Sequence, residues 1–464
     1  MPINRIPPEI LSLIPHFWEY PRDKDVITLT HVCQAWRDVF VSSPSLWTDL
    51  DCMDLDKTRV YLERSKSSPI DLSLHCDHTS FSDPSLEFIP HVAGRLKSLT
   101  IQGGSEHLQD INTYLFCPAP LLEALSIYGG NGNDPELPPT FLNGDFSPLH
   151  ILRLEDIRTE LPWRNMVNLT SFTLVYGSNT SISQFLEFFE SAPRLRDVHI
   201  YSEHPVTTVE YERLVPMTCL TWMESGGFLG SNLFDHLLIP VGTDLKMRVD
   251  LPNPIEGTPP PKFIDNLKNL PEFTSIWLQT DMTRMLFSGP NGKVSMTPLP
   301  FDTSSMLKYL AYFDTSKTER LVIQGGEPPT GTLLYQSLLP MKGLRTLKLI
   351  RCEDPHTFVR VLHPSMSSSG VMVCPELEEL VIEHKRTLDI KVVEGVAAAR
   401  ASSGAKLKVA RIISWYGVQV DTSELKNHVS RVEIIMRSSV LHPGEWAWVF
   451  LKAASILNRV IRVQ

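Results

Sequence analysis

Four residue types that ligate metals stand in a row at His75-Cys76-Asp77-His78, and two glycine-bearing stretches carry residues of phosphate-binding turns: Gly129-Gly130-Asn131-Gly132-Asn133-Asp134 and Gly289-Pro290-Asn291-Gly292-Lys293. Each fails on spacing. Consecutive side chains of an extended strand point to opposite faces, so the His-Cys-Asp-His run does not converge on one ion, and no second cluster has ligand spacing. A phosphate loop needs an earlier glycine and a Ser or Thr after the lysine, where this chain has Phe287 and Val294. Asn-Gly between Met282–Phe287 and Lys293–Met296 predicts a β-hairpin instead, because those residues supply positive φ. The Gly129 stretch lacks a spaced third glycine and a following helix, and reads as a loop. There is no Gly-x-Ser-x-Gly elbow, no His-Glu-x-x-His, no cysteine in a catalytic setting and no paired carboxylates. The expectation is a protein that is not an enzyme, with no catalytic residues, no metal site and no cofactor.

Composition narrows the remaining choices. With 464 residues, 42% of them apolar, the chain is long enough for a small domain and a large one. The balance of 43 basic against 53 acidic residues, net -10, argues against nucleic acid or an anionic membrane as the main partner. Seven scattered cysteines with no C-x-x-C pair read as free thiols of a reducing compartment. No apolar stretch reaches the length of a membrane span, and no signal region opens the chain. The expected location is cytoplasmic or nuclear.

Elements near the start are helical. Pro7-Pro8 suits the first turn of a helix carrying Ile10, Leu11 and Ile14 on one face, and Pro15 ends it near Ile14. Leu29, Cys33, Trp36 and Phe40 recur at four, three and four residues, one helical face, with Asp23 or Asp25 as N-cap. Ile6-Pro7-Pro8-Glu9-Ile10-Leu11, then Leu29-x-x-Val32-Cys33-x-x-Trp36-Arg37, then Pro44-Ser45-Leu46-Trp47 resemble the F-box, the helical module that docks onto the Skp adaptor of cullin-RING ubiquitin ligases. The resemblance covers residues 1–50. It implies that Ile6, Pro7, Pro8, Ile10, Leu11, Leu29 and Val32 face or support the adaptor, while Trp36 and Trp47 hold the module together.

A connecting helix is expected over 51–68, and from Ile70 the chain repeats. An apolar residue, two variable ones, an apolar, one variable and an apolar recur at Leu96–Ile101, Leu122–Ile127, Leu149–Leu154, Leu169–Leu174 and Leu195–Ile200. The middle positions 99, 125, 152, 172 and 198 are 26, 27, 20 and 26 residues apart. The pattern returns at Thr318–Ile323, Leu344–Leu349, Leu377–Ile382, Leu407–Ile412 and Val429–Ile434. One strand and one return segment per unit predict an α/β fold, an irregular leucine-rich-repeat solenoid over 69–445 with a curved parallel sheet and helices or loops outside. Leu233–Ile239 with Lys246–Leu251 reads as one degenerate unit. A loop and hairpin insertion around 252–297 is expected to project from the solenoid, and residues 446–464, with Trp446, Trp448, Val449, Leu451, Ile456 and Val460, to close it as a helix. This arrangement resembles the divergent leucine-rich repeats that follow an F-box in fungal proteins.

That resemblance implies the substrate-recognition subunit of an SCF-type cullin-RING ligase, joined to the ligase through the Skp adaptor and holding an unknown target protein by proximity alone. Target contacts are expected from side chains between the buried ones on the strands: Tyr128, Arg153, His199, Tyr201, Trp277, Lys348 and Glu383. The alternative is a leucine-rich-repeat scaffold for protein–protein interaction whose helical segment only caps the first repeat.

Overall fold

The recurring apolar triplets become strands, because every second side chain of an extended segment reaches one face of a sheet. The computed structural model describes residues 10–11, 23–52, 54–76, 88–103, 115–129, 136–137, 141–159, 165–176, 180–202, 214–227, 233–249, 273–290, 292–298, 302–366, 371–384, 388–415 and 421–436. Ile6, Pro7, Pro8, the helix end at Pro15, Asp77 and His78, the loop 252–261 and the closing segment 446–464 lie outside them. The protein is α/β with large, mostly parallel sheet structure, and it divides into two compact units: Met1–Asp250 with Pro261–Leu270, and Leu251–Pro260 with Pro271–Gln464.

The first unit opens with α1 (Asp23–Thr30) and α2 (Gln34–Val41), then a single 3-10 turn at Pro44–Trp47. The expected continuous face from Leu29 to Phe40 is split between two helices. Cys33 is extended, with φ -161° and ψ 172°, and sits as the N-cap of α2. Arg37 Nε donates to Thr30 O at 3.0 Å and closes the corner. Helix α3 (Leu55–Ser65) follows, capped by Asp54, whose carboxylate accepts from Lys57 N.

Nine strands of this unit then pair in chain order, each parallel to the next. They are β1 (Asp49–Asp51), β2 (Ile70–Cys76), β3 (Leu96–Gly103), β4 (Ala124–Gly129), β5 (Ile151–Glu155), β6 (Ser171–Val175), β7 (Asp197–Ser202), β8 (Trp222–Gly227) and β9 (Asp244–Val249). Leu72, Leu99, Leu125, Leu152, Phe172, Val198, Met223 and Leu245 stand opposite one another in one buried row. Helix α4 (Ile182–Ser191) covers part of that row: a capping box of Ser181 and Gln184 starts it, and Phe185, Leu186, Phe188 and Phe189 bury its apolar face. Burying one such side chain stabilises by about 2 kcal/mol. Ordering one backbone residue costs about 1–2 kcal/mol. A lone copy of 20 to 27 residues therefore cannot fold, and the repeat is required. Of the degenerate unit expected over Leu233–Ile239 with Lys246–Leu251, the second part is strand β9, which starts two residues earlier, and β8 has no full triplet because Ser225, opposite Ile200, takes the buried place of its last apolar residue.

The second unit is built from β10 (Ser275–Gln279), β11 (Arg284–Gly289), β12 (Gly292–Pro298), β13 (Arg320–Gln324), β14 (Thr346–Ile350), β15 (Glu379–His384), β16 (Val409–Ser414) and β17 (Arg431–Met436). Strand β10 is parallel to β13, and β13 to β17 pair in order, all parallel. The expected hairpin forms as β11 and β12, but it does not project. Strand β11 pairs antiparallel with β10 and extends the sheet, since Met285, Phe287, Val294 and Met296 are buried on the same layer as Ile276 and Leu278. Helices α5 (Thr303–Leu310), α6 (Gly331–Leu338), α7 (Pro355–Arg360) and α8 (Ile390–Ser402) supply the return segments.

Candidate functional site

At the N-terminal helices, aromatic side chains make the interior. Trp47 is fully buried, donates from Nε1 to Phe40 O at 2.9 Å and meets Tyr61 edge-on at 4.9 Å, with the Arg64 guanidinium 4.3 Å from its ring centre. Trp36 packs edge-on against Phe40 at 5.6 Å. The candidate partner-facing residues separate into two groups. Ile10 and Val32 are 53% and 48% exposed, whereas Leu11 and Leu29 are buried and offer no surface in this conformation. Ile27 is also exposed on α1. It was not legible as a surface residue, because its apolar type alone reads as core.

The second candidate surface is the face of each sheet opposite the buried row. In the first unit Thr100, Ser126, Arg153, Thr173, His199, Glu224 and Lys246 form one register line across β3 to β9. Tyr128, Glu155, Val175, Tyr201 and Gly226 form the next. Four predicted contact residues, Tyr128, Arg153, His199 and Tyr201, are thus brought together on adjoining lines. Arg153 Nη1 donates to Tyr128 Oη at 3.2 Å, a hydrogen bond that holds its guanidinium above the ordinary range. Tyr201 meets Tyr176 edge-on at 4.9 Å, and His199 meets Trp222 at 6.1 Å. Lys246 is ion-paired with Glu224. Tyr176 and Trp222 were missed, since neither sits at an expected outward position of a triplet.

In the second unit Trp277, Val322, Lys348, Val381, Arg411 and Glu433 share one line, with Trp277 and Lys348 half-buried. Arg411 lies between Glu379 at 3.0 Å and Glu433 at 2.6 Å, and its hydrogen bond holds the Glu433 carboxyl below the usual range. Glu383 departs from expectation. It is only 5% exposed, because Trp415 Nε1 donates to its carboxylate at 3.2 Å and Arg351, stacked over Trp415, approaches to 3.6 Å. Its outward position on the strand is right, but neighbours close over it, so it is a packing residue here.

The other chemical candidates resolve locally. Cys352 and Cys374 are pushed up to about 12 by burial, so both stay neutral thiols near pH 7. Gly129 ends β4 where a Cβ would stand 2.1 Å from Asp156 O, so backbone approach requires the glycine. Among the described residues no group of three or more His, Cys, Asp or Glu is arranged to hold a metal ion, and no helix is long and apolar enough to cross a membrane. A shallow open depression at the start of β3 to β5 is lined by Lys97, Pro120, Leu121, Glu123, Pro148 and His150, with Lys97 and Glu123 3.8 Å apart. No family model matches the chain, and no curated protein matches its sequence.

Proposed function

We propose that this chain is the substrate-recognition subunit of an SCF-type cullin-RING ubiquitin ligase, with an F-box at its N-terminus and an irregular leucine-rich-repeat solenoid behind it. The supporting observation is the pairing of two features. Helix α2 keeps Trp36 and Phe40 inside while Ile10, Ile27 and Val32 stay on the surface. The same segment runs directly into the first strand of an in-order parallel ladder. Exposed aliphatic side chains on a small helical module are what a helical partner would cover. In this reading the Skp adaptor takes those side chains, the sheet face holds the target, and the chain contributes proximity rather than bond chemistry. The burial of Leu11 and Leu29 favours the second reading, a scaffold whose helices only cap the first repeat.

Co-expression of the full chain with a Skp adaptor separates the two. The expected result is co-elution for the wild type and its loss for a triple variant Ile10→Ser, Ile27→Ser, Val32→Ser whose thermal transition is unchanged, because all three side chains are exposed. Leu11→Ala is unsuitable, since truncating a buried leucine unfolds as well as unbinds. A wild type that does not co-elute would leave the scaffold reading in front.

A further inference from the structure

Two places on the outward sheet face of the first unit depart from an ordinary solvated surface. Tyr201 on β7 lies across Gly226 on β8: a Cβ at position 226 would stand 2.6 Å from its Cδ2. Glycine inside a strand costs stability, and here its absence of a side chain leaves room for the ring over the neighbouring strand. Tyr176, held by a hydrogen bond from its N–H to Tyr201 O at 2.9 Å, stands edge-on to that ring and is 39% exposed. The result is a two-ring platform built into the face.

The second place is Arg153. It donates to the Tyr128 hydroxyl, the Glu155 carboxylate on the same strand acts on it by charge, and among the described residues no carboxylate lies within ion-pair distance. On the outward sheet faces Lys246 is neutralised by Glu224 and Arg411 by Glu379 and Glu433, whereas Lys348 on β14, like Arg153, has no carboxylate within ion-pair distance among the described residues. Ser126 flanks Arg153 in register and adds a hydroxyl that can donate to an anion, while Thr173 on the other side is buried. The charge of Glu155, two residues along the same strand, acts on Arg153 and keeps the surrounding potential from becoming strongly positive. That balance suits one carboxylate rather than a phosphate, which draws on clustered guanidinium groups. Arg153 and Tyr201 are two strands apart and two residues out of line, about 12 Å, the span of three to four extended residues.

Resting on the recognition role proposed above, we infer that this face reads an unmodified acidic segment of the target protein. An Asp or Glu side chain pairs with Arg153, and an aliphatic or aromatic side chain three or four residues away packs on the Tyr176–Tyr201 platform.

The test is selection of a displayed library of random peptides on the full chain, followed by titration of a synthetic copy of the enriched peptide. The expected enrichment is an acid three or four positions from a large apolar residue. Arg153→Gln should weaken binding of the peptide about tenfold, the effect of losing a charged hydrogen bond. Asp→Asn or Glu→Gln in the peptide should match that loss and add little to it. Tyr201→Ala should remove the apolar preference and leave the acid preference. Arg153→Lys, which keeps the charge and loses the fork, serves should Tyr201→Ala fail to fold, and should weaken binding less than Arg153→Gln. Enrichment without an acid, undiminished binding to Arg153→Gln, no enrichment at all, or a phosphoserine peptide binding more than tenfold tighter would each overturn the inference. Adaptor co-elution from the same preparation distinguishes the failures: peptide selection can fail with adaptor binding intact, and adaptor binding can fail with selection intact.

Discussion

Arg400 is a guanidinium with no exposed surface, and its partners are carbonyls rather than a carboxylate: Leu362 O at 3.4 Å, Val373 O at 3.1 Å and Cys374 O at 2.7 Å. Burial pulls its pKa below the ordinary range, while the neutral thiol of Cys374 beside it stays protonated. The side chain ties helix α8 to the segment that leads into β15, where Cys374 sits at φ 47°. Replacing it with methionine fills the space but removes the donor to Leu362 O and Val373 O and leaves Cys374 O only the Leu377 N–H, at an expected cost of about 3 kcal/mol. Chemical denaturation should show that loss, whereas Arg360→Ala, on the exposed side of α7, should change stability by less than about 0.5 kcal/mol. Equal effects of the two substitutions would show that the carbonyl contacts contribute nothing. Nothing in the sequence distinguishes Arg400 from the other arginines of a helix, because its partners come from residues 26 to 38 positions away.

Two glycines test what the elements require of their backbones. Gly129 closes β4 against Asp156, itself at φ 54°, and a methyl group there has backbone atoms in its way. Gly395 lies in the middle of α8 on its exposed side with nothing within 4 Å of its would-be Cβ. Gly129→Ala should cost roughly 2 kcal/mol or more, as strain that side-chain rotation cannot relieve. Gly395→Ala should stabilise by about 0.5–1 kcal/mol, the difference in helix propensity. Thermal melts of the two variants should therefore move in opposite directions, and a destabilised Gly395→Ala would contradict the open space around it. At this scale the triplets were legible because Leu99, Leu125 and Leu152 each alternate locally. The break at Cys33 was not, since spacing alone cannot tell one helix from two that share a buried face.

Among the described residues the ladder of the second unit ends at β17, and the segment expected to close it, 446–464, lies outside them. Ile412 on β16 is buried, while Ile434, opposite it on β17, is exposed, as are Ile435 and Met436. An apolar edge strand is a template for pairing with another chain. Ile435→Lys should reduce concentration-dependent light scattering and leave the thermal transition in place. Ile412→Lys, by contrast, buries an unpaired ammonium and should abolish cooperative folding. Unchanged scattering in Ile435→Lys would mean that this edge does not associate.

The sequence by itself determined the alternation that makes each strand, the spacing that makes the strands repeat, and the aromatic residues that fill the N-terminal helices, because these follow from side-chain type within a few positions. It also placed Arg153, Tyr128, His199 and Tyr201 on outward positions. Tertiary structure alone decided which of them meet. Arg153 reaches Tyr128 from 25 residues away, Tyr201 lies over a glycine of the next strand, and Glu383 is closed in by Trp415, 32 residues on. Parallel pairing juxtaposes residues a whole repeat apart, and burial of an outward side chain depends on the length and shape of neighbours that no local pattern encodes.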